Sequence, residues 1–184
     1  MTTIFKTKWG WIGLAATDRG VAALVLPKSS RQAVERELRA LNGNVGAGLI
    51  PARLKREGVN PSPTQQAQAS AIYLKEARSA ITAYLEGKTR DLDLPLDLDG
   101  HPSFRKKVWE VLKTIPYGRV RSYGWVARKI GKPGAARAVG AACGANPVPL
   151  LIPCHRVVAG DGSLGGFSGG LSNKKRLLKL EGTL

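Results

Sequence analysis

Hydrophobic and polar residues alternate along this chain with two different periods, and each change of period marks an element. Two apolar runs, Ile4 to Ala16 and Val21 to Leu26, are joined at Thr17-Asp18-Arg19-Gly20, where aspartate and glycine supply turn chemistry. They predict two strands in a β-hairpin. The period then lengthens. Ser29, followed three residues later by Gln32, resembles a capping box, and Ala33, Val34, Leu38 and Leu41 form a helical face ending before Asn42-Gly43. Asn44 to Pro63 has no clear period and carries the mixed charges Arg53-Leu54-Lys55-Arg56-Glu57, as expected of a surface loop. Helical spacing returns between Thr64 and Glu86 in Ala69, Ile72, Tyr73, Ala77, Ala80, Ile81, Tyr84 and Leu85, with Gly87 placed to close the helix.

From Asp91 to Asp99 leucine alternates with acid, which predicts a half-buried extended segment; Pro95 confines it to a sheet edge or a linker. A domain boundary is expected near Gly100, separating residues 1–99 from 100–184. Beyond it, Ser103 can cap a helix whose face is Phe104, Val108, Val111, Leu112 and Ile115, stopped by Pro116-Tyr117-Gly118. Arg119-Val120-Arg121 reads as a brief strand. A helix follows from Ser122 to Ile130, then a tight turn at Gly131-Lys132-Pro133, then an alanine-rich helix from Gly134 to Gly144 with Pro133 at its first position. That is a helix-turn-helix pattern. After an apolar run from Asn146 to Pro153, Val157-Val158 reads as strand, Ala159 to Gly162 as a turn, and Gly165 to Gly170 as a glycine-rich binding loop. Ser172 is placed to cap a last helix carrying Leu171, Leu177, Leu178 and Leu180.

Charge changes the picture. The chain has 29 Lys plus Arg against 13 Asp plus Glu, a formal net of +16. Residues 1–100 hold 14 basic and 10 acidic side chains, whereas residues 101–184 hold 15 basic groups against only Glu110, Asp161 and Glu181. The C-terminal half is therefore expected to bind a polyanion, with nucleic acid the first candidate. Arg119, Arg121, Arg128, Lys129, Lys132 and Arg137 flank or lie in the helix-turn-helix, and Ser122 and Tyr123 add hydroxyls at a helix start. These are phosphate-contacting types. Side chains that read base edges are scarce on the second helix, so binding is expected to be largely independent of sequence.

The remaining composition, 43% hydrophobic and 23% charged, is that of an ordinary globular protein. No stretch approaches the roughly 18 apolar residues of a membrane span, and residues 1–6 lack the apolar core of a secretory signal. The expected compartment is cytoplasm or nucleoid. Two cysteines give no disulfide framework, and with His101 and His155 they form no cluster spaced like a zinc site, so neither metal nor cofactor is expected.

One of those cysteines carries the candidate chemistry. Cys154 stands directly before His155 and Arg156, and cationic neighbours stabilise the nucleophilic thiolate. Glu181, a lone acid at the C-terminal end of a basic helix, is out of place unless it has a partner.

The run Ile152-Pro153-Cys154-His155-Arg156-Val157-Val158, preceded by Arg137-Ala138-Val139-Gly140 and Asn146-Pro147 and followed by Phe167-Ser168-Gly169-Gly170-Leu171, resembles the O6-alkylguanine-DNA alkyltransferases, the methylated-DNA–protein-cysteine methyltransferases. The likeness is close over residues 103–182 and looser before them. It implies an α+β fold, with an N-terminal α/β ribonuclease-H-like domain and a C-terminal helical winged helix-turn-helix DNA-binding domain. It also implies one irreversible transfer per molecule, from O6 of guanine (and O4 of thymine) in double-stranded DNA to Cys154. A non-catalytic alkyltransferase-like lesion binder is the alternative. Carried over position by position, His155 deprotonates Cys154 through a water and Glu181 orients the imidazole. Arg137 takes the place of the flipped base, Tyr123 rotates the nucleotide and protonates or hydrogen-bonds the leaving guanine, and Asn146 is a hinge. Ser122, Arg128, Ala135, Ala136 and Gly140 are expected against DNA in the minor groove; Val157, Phe167, Ser168 and Trp125 against the substrate. The resemblance implies a monomer, leaves cooperative binding along DNA open, and involves no membrane.

Overall fold

The computed structural model describes residues 1–45 and 61–184. Of the expected loop at 44–63, residues 46–60 lie outside the described residues, while Asn44, Val45 and Pro63 are helical rather than loop. Two compact units divide the chain, Met1–Gly100 and His101–Leu184.

The first unit is built on an antiparallel sheet of β1 (Thr2–Thr7), β2 (Gly10–Thr17) and β3 (Gly20–Lys28) in that order. The first apolar run is thus two strands rather than one. Thr7 makes the extra turn: its hydroxyl accepts from Trp9 N at 3.1 Å and donates to Gly10 O at 3.0 Å. Helices α1 (Arg31–Val45) and α2 (Pro63–Leu85) both pack on β2 and β3. That packing explains why β3 is buried from Gly20 to Pro27 instead of alternating.

The cap of α1 is Ser30, whose hydroxyl accepts from Ala33 N, one residue beyond the expected Ser29. The helix also continues to Val45, since Asn and Gly inside a helix cost only about 1 kcal/mol each and need not end it. The capping box belongs to α2 instead, between Ser62 and Gln65, with Pro63 in the first turn where its missing N–H is no loss.

The leucine–acid segment lies along the start of β3. Val21 N donates to Pro95 O at 2.8 Å and Asp97 N donates to Val21 O at 3.0 Å. Gly20 permits this approach, because a Cβ there would lie 2.3 Å from Pro95 O. The acids of the alternation have a role of their own: Asp97 accepts from both Thr17 Oγ1 (2.6 Å) and Arg19 Nη2 (2.8 Å), and Asp99 also pairs with Arg19.

The second unit holds α3 (Ser103–Lys113), β4 (Arg121–Ser122), α4 (Tyr123–Lys129), α5 (Ala136–Gly144), a 3-10 turn (Cys154–Arg156), β5 (Val157–Val158) and α6 (Leu171–Leu180). β4 and β5 pair in parallel, Arg121 against Val157 and Ser122 against Val158. The fully buried Trp109 ties α3 to α5 by donating its indole N–H to Ala142 O at 2.9 Å. Helices α4 and α5 form the expected helix-turn-helix, with Ser122 Oγ capping α4 through Trp125 N at 3.1 Å.

Three terminal assignments are corrected. Ser103 and Ser172 lie inside α3 and α6, whose caps are Pro102 and Gly170 and use no side chain. Pro133 sits within a turn closed by Ala135 N to Lys132 O at 2.9 Å, three residues before α5 begins. Among the described residues, no helix is long and apolar enough to cross a membrane, and no group of three or more His, Cys, Asp or Glu could hold a metal.

Candidate active site

Asn146-Pro147-Val148-Pro149-Leu150-Leu151-Ile152-Pro153 leads from α5 to the thiol as a buried irregular segment rather than a strand. Three prolines remove the amide donors that a ladder requires. The segment folds on itself, with a local bridge between Pro149 and Ile152 and Leu150 at φ 75°. Asn146 holds its two ends together. Its Nδ2 donates to Ile152 O at 2.8 Å and to Cys154 Sγ at 3.1 Å, while its Oδ1 accepts from Val148 N at 3.1 Å. Asn146 thus fixes the sulfur's position relative to the helix-turn-helix.

The cation expected beside the thiol is engaged elsewhere. Arg156 Nε donates to both Glu181 oxygens at 3.2 and 3.0 Å, and Nη1 donates to Ile115 O at 2.7 Å. Glu181 also accepts from His155 Nε2 at 2.6 Å and from Gly118 N at 3.1 Å. Glu181 is therefore the buried hub that its odd position suggested, and Arg156 offsets its charge.

With Nε2–H assigned to that hydrogen bond, Nδ1 is the free basic atom of the ring, and it is buried without a protein partner. Burial lowers the His155 pKa while Glu181 opposes the shift. Burial pushes the Cys154 thiol up to about 11, against the opposing influence of Asn146 and Lys174. The resting group is a thiol, not the thiolate its sequence neighbours suggested.

A cavity of about 760 Å³ opens over this thiol. Ser122, Tyr123, Arg128, Ala136, Arg137 and Gly140 line it from the helix-turn-helix, and Phe167 and Ser168 line it from the glycine-rich loop. Cys154 is in the lining, with His155, Glu181 and Asn146 buried behind. Tyr123 spans the opening: its hydroxyl donates to Gly166 O at 3.3 Å, and Gly165 has no Cβ to strike the ring, where one would fall 2.9 Å away. Burial raises the Tyr123 pKa, so its hydroxyl keeps its proton.

Ala135, Trp125 and Val157 do not line the cavity. Ala135 is the residue preceding α5. Trp125 instead has Arg121 and Lys129 over its ring, and the Val157 carbonyl accepts from Lys174 Nζ at 2.6 Å.

Comparison with known proteins decides the family. The model of the 6-O-methylguanine DNA methyltransferase DNA-binding domain matches residues 103–183. A methylated-DNA–protein-cysteine methyltransferase of Mycobacterium tuberculosis is 43% identical over 136 residues, covering 74% of this chain and 81% of that protein. The chain belongs to the methylated-DNA–protein-cysteine methyltransferase family. An inducible member from Bacillus subtilis is 50% identical over 101 residues, 55% of this chain and 56% of that one. The crystal structure of Mycobacterium tuberculosis OGT in complex with DNA superposes with a TM-score of 0.69 at 33% identity, covering 98% of this chain and 91% of that one. The O6-methylguanine-DNA methyltransferase of Pyrococcus kodakaraensis gives 0.69 at 29% identity, covering 99% of both chains. Fold class and family thus agree with the sequence reading.

Two residues of this methyltransferase-family site escaped sequence reasoning. Lys174 stands among the basic residues of α6 with Lys175, Arg176 and Lys179, yet it is fully buried and its Nζ donates to Val157 O, Leu164 O and Gly166 O. The signal was present: Lys174 shares a helical face with Leu177 and Leu178. Cys143, on α5, also lines the cavity and is pushed to about 12 by burial.

The two thiols predict a pH dependence of folding. Both ordinarily ionise near 9.0 and are held above that in the folded chain. As pH rises past 9 the unfolded chain loses these protons first, so stability present below pH 9 is lost between pH 9 and about 12. The urea midpoint is expected to fall across that window, and less steeply in Cys143→Ala. An unchanged slope in that variant contradicts the assignment.

Proposed function

We propose that the chain repairs DNA by direct damage reversal, moving an alkyl group from O6 of guanine, or O4 of thymine, to Cys154 once per molecule. The observation that carries this reading is a buried cysteine in the lining of a cavity walled by a helix-turn-helix, backed by the His155–Glu181 pair. Double-stranded DNA docks through α4 and α5, where small residues let a backbone come close. Arg137 is exposed at the cavity and enters the base stack in place of the damaged nucleotide, which swings into the cavity past Tyr123. Phe167 offers a ring to the base and Ser168 a hydroxyl to O6.

The chemistry is a displacement. The Cys154 proton passes through a water to His155 Nδ1, and the sulfur attacks the alkyl carbon as its bond to O6 breaks. The electron pair of that bond goes to the guanine, which Tyr123 hydrogen-bonds or protonates. Glu181 holds the imidazolium that forms. The product thioether has no route back, so the protein is spent. The same reading puts the chain in the cytoplasm, associated with the nucleoid in a bacterial or archaeal cell, acting as a monomer.

Mass spectrometry tests it. An oligomer carrying O6-methylguanine is expected to add one methyl mass to the Cys154 peptide, with yield stopping at one per protein. Many turnovers, or no mass shift, would overturn the proposal; tight lesion binding with no shift would identify a non-catalytic binder. Cys154→Ala is expected to abolish transfer and keep damaged-DNA binding. Arg137→Ala is expected to slow transfer at least about tenfold with free-thiol reactivity unchanged, since extruding a base costs a few kcal/mol that the arginine offsets. A wild-type transfer rate in that variant removes Arg137 from the mechanism.

A further inference from the structure

We propose that Arg121, Trp125 and Lys129 form a second nucleic-acid site outside the lesion cavity, a clamp for the phosphodiester backbone flanking the damaged nucleotide. The inference rests on the reading of DNA as the partner. Trp125 and Lys129 lie one turn apart on the same side of α4, and Arg121, on β4 just before the helix, reaches the same ring. The Arg121 guanidinium carbon lies 5.4 Å from the Trp125 ring centroid and Lys129 Nζ lies 5.6 Å from it. Trp125 is half-buried, while both cations are exposed.

Neither cation takes part in an ion pair found among the described residues. Two like charges held against one ring repel each other, and an exposed cation–π contact offsets only part of that. What the pair lacks is an anion. The indole positions both donors in advance, which reduces the side-chain freedom that an anion must otherwise quench.

Location identifies the anion. Ser122, Tyr123, Gly124 and Arg128 line the cavity and interleave in sequence with the three clamp residues. One side of the β4–α4 segment thus borders the lesion site and another presents paired cations. A strand that delivers a nucleotide to the cavity carries a charge at every nucleotide step beside it, so its backbone is the polyanion that meets the clamp. Neither cation offers base discrimination in this arrangement, in keeping with a grip indifferent to sequence.

The test is the salt dependence of duplex binding by the full chain, with and without O6-methylguanine in the duplex. Arg121→Ala and Lys129→Ala are each expected to lower the slope of log affinity against log salt by about 0.9, the loss of one phosphate contact. Lys75→Ala, an equal loss of charge on α2, is expected to leave the slope alone. Trp125→Leu keeps both charges and is expected to weaken binding about three- to tenfold, with Trp125→Phe losing less because a ring remains. Unchanged slopes in the arginine and lysine variants overturn the clamp while leaving the repair reading intact. An equal drop in Lys75→Ala overturns it as mere net charge. A wild-type chain without salt-dependent duplex binding sinks both readings. Weakened binding to an acidic peptide but not to DNA in these variants assigns the cluster to a protein partner and overturns the proposal.

Discussion

Replacing Glu181 by alanine is expected to cost about 3–5 kcal/mol of stability, the usual cost of removing one partner from a buried ion pair, and to stop alkyl transfer. The Glu181 side chain is fully buried and its carboxylate accepts from His155, Arg156 and Gly118. Without it the Arg156 guanidinium keeps the Ile115 carbonyl and the Tyr117 ring but has lost its counter-charge. The imidazole loses both its acceptor and the influence that raises its pKa. Burial then acts with less opposition, so the His155 pKa falls further and the ring becomes a weaker base.

Glu181→Gln separates the two effects. It preserves shape and one acceptor oxygen, so it should lose less stability in urea denaturation. It cannot hold an imidazolium, so single-turnover transfer is still expected to fall by about 10²-fold or more, the lower range for loss of a positioned base. A Glu181→Gln protein transferring at the wild-type rate would show that the carboxylate's charge is not used.

The parts of this molecule that were legible in its sequence are those with local causes. The helix-turn-helix follows from the Ser122 cap, the glycine and proline turn, and the small residues of α5. The Cys154-His155 pair on which the proposed chemistry rests stood out as neighbours in the sequence, and the buried partner that Glu181 needed, as a lone acid in a basic region, is His155 with Arg156. What the sequence concealed depends on contacts between distant segments. Trp109, absent from the expected face of α3, is fully buried because α5 offers it a carbonyl. The strand expected after Thr3 divides because the Thr7 hydroxyl closes a turn on Trp9 and Gly10, a signal weaker in sequence than an Asn-Gly pair. Arg156 was read as the thiol's cation, but charge adjacency in sequence says nothing of side-chain direction, and its fork found a buried carboxylate. Trp125 was placed against the substrate by resemblance alone, whereas its ring faces Arg121 and Lys129.

Lys174→Met is expected to reduce transfer at neutral pH by about tenfold or more, through both position and charge. Lys174 Nζ donates to Val157 O at 2.6 Å and Gly166 O at 3.4 Å, and to Leu164 O between them. One ammonium thus ties the strand after the thiol to the loop that closes over the cavity. Methionine keeps the apolar stem and removes every donor, leaving those carbonyls to find water or stay unpaired at about 1–3 kcal/mol each where buried. Gly166, the acceptor of the Tyr123 hydroxyl, is released with them.

The charge acts separately. Lys174 is among the influences that lower the Cys154 pKa, so its removal moves that thiol further above about 11 and reduces the thiolate present at any given pH. The sign is testable: the rate of Cys154 alkylation by iodoacetamide should rise with pH in both proteins, but at higher pH in Lys174→Met. If only the loop mattered, small-molecule alkylation would keep its wild-type pH profile while transfer from DNA fell. If only the charge mattered, the profile would move and the melting temperature would not. Both are expected to change, because the cation that tunes the sulfur is the same group that anchors the loop above it.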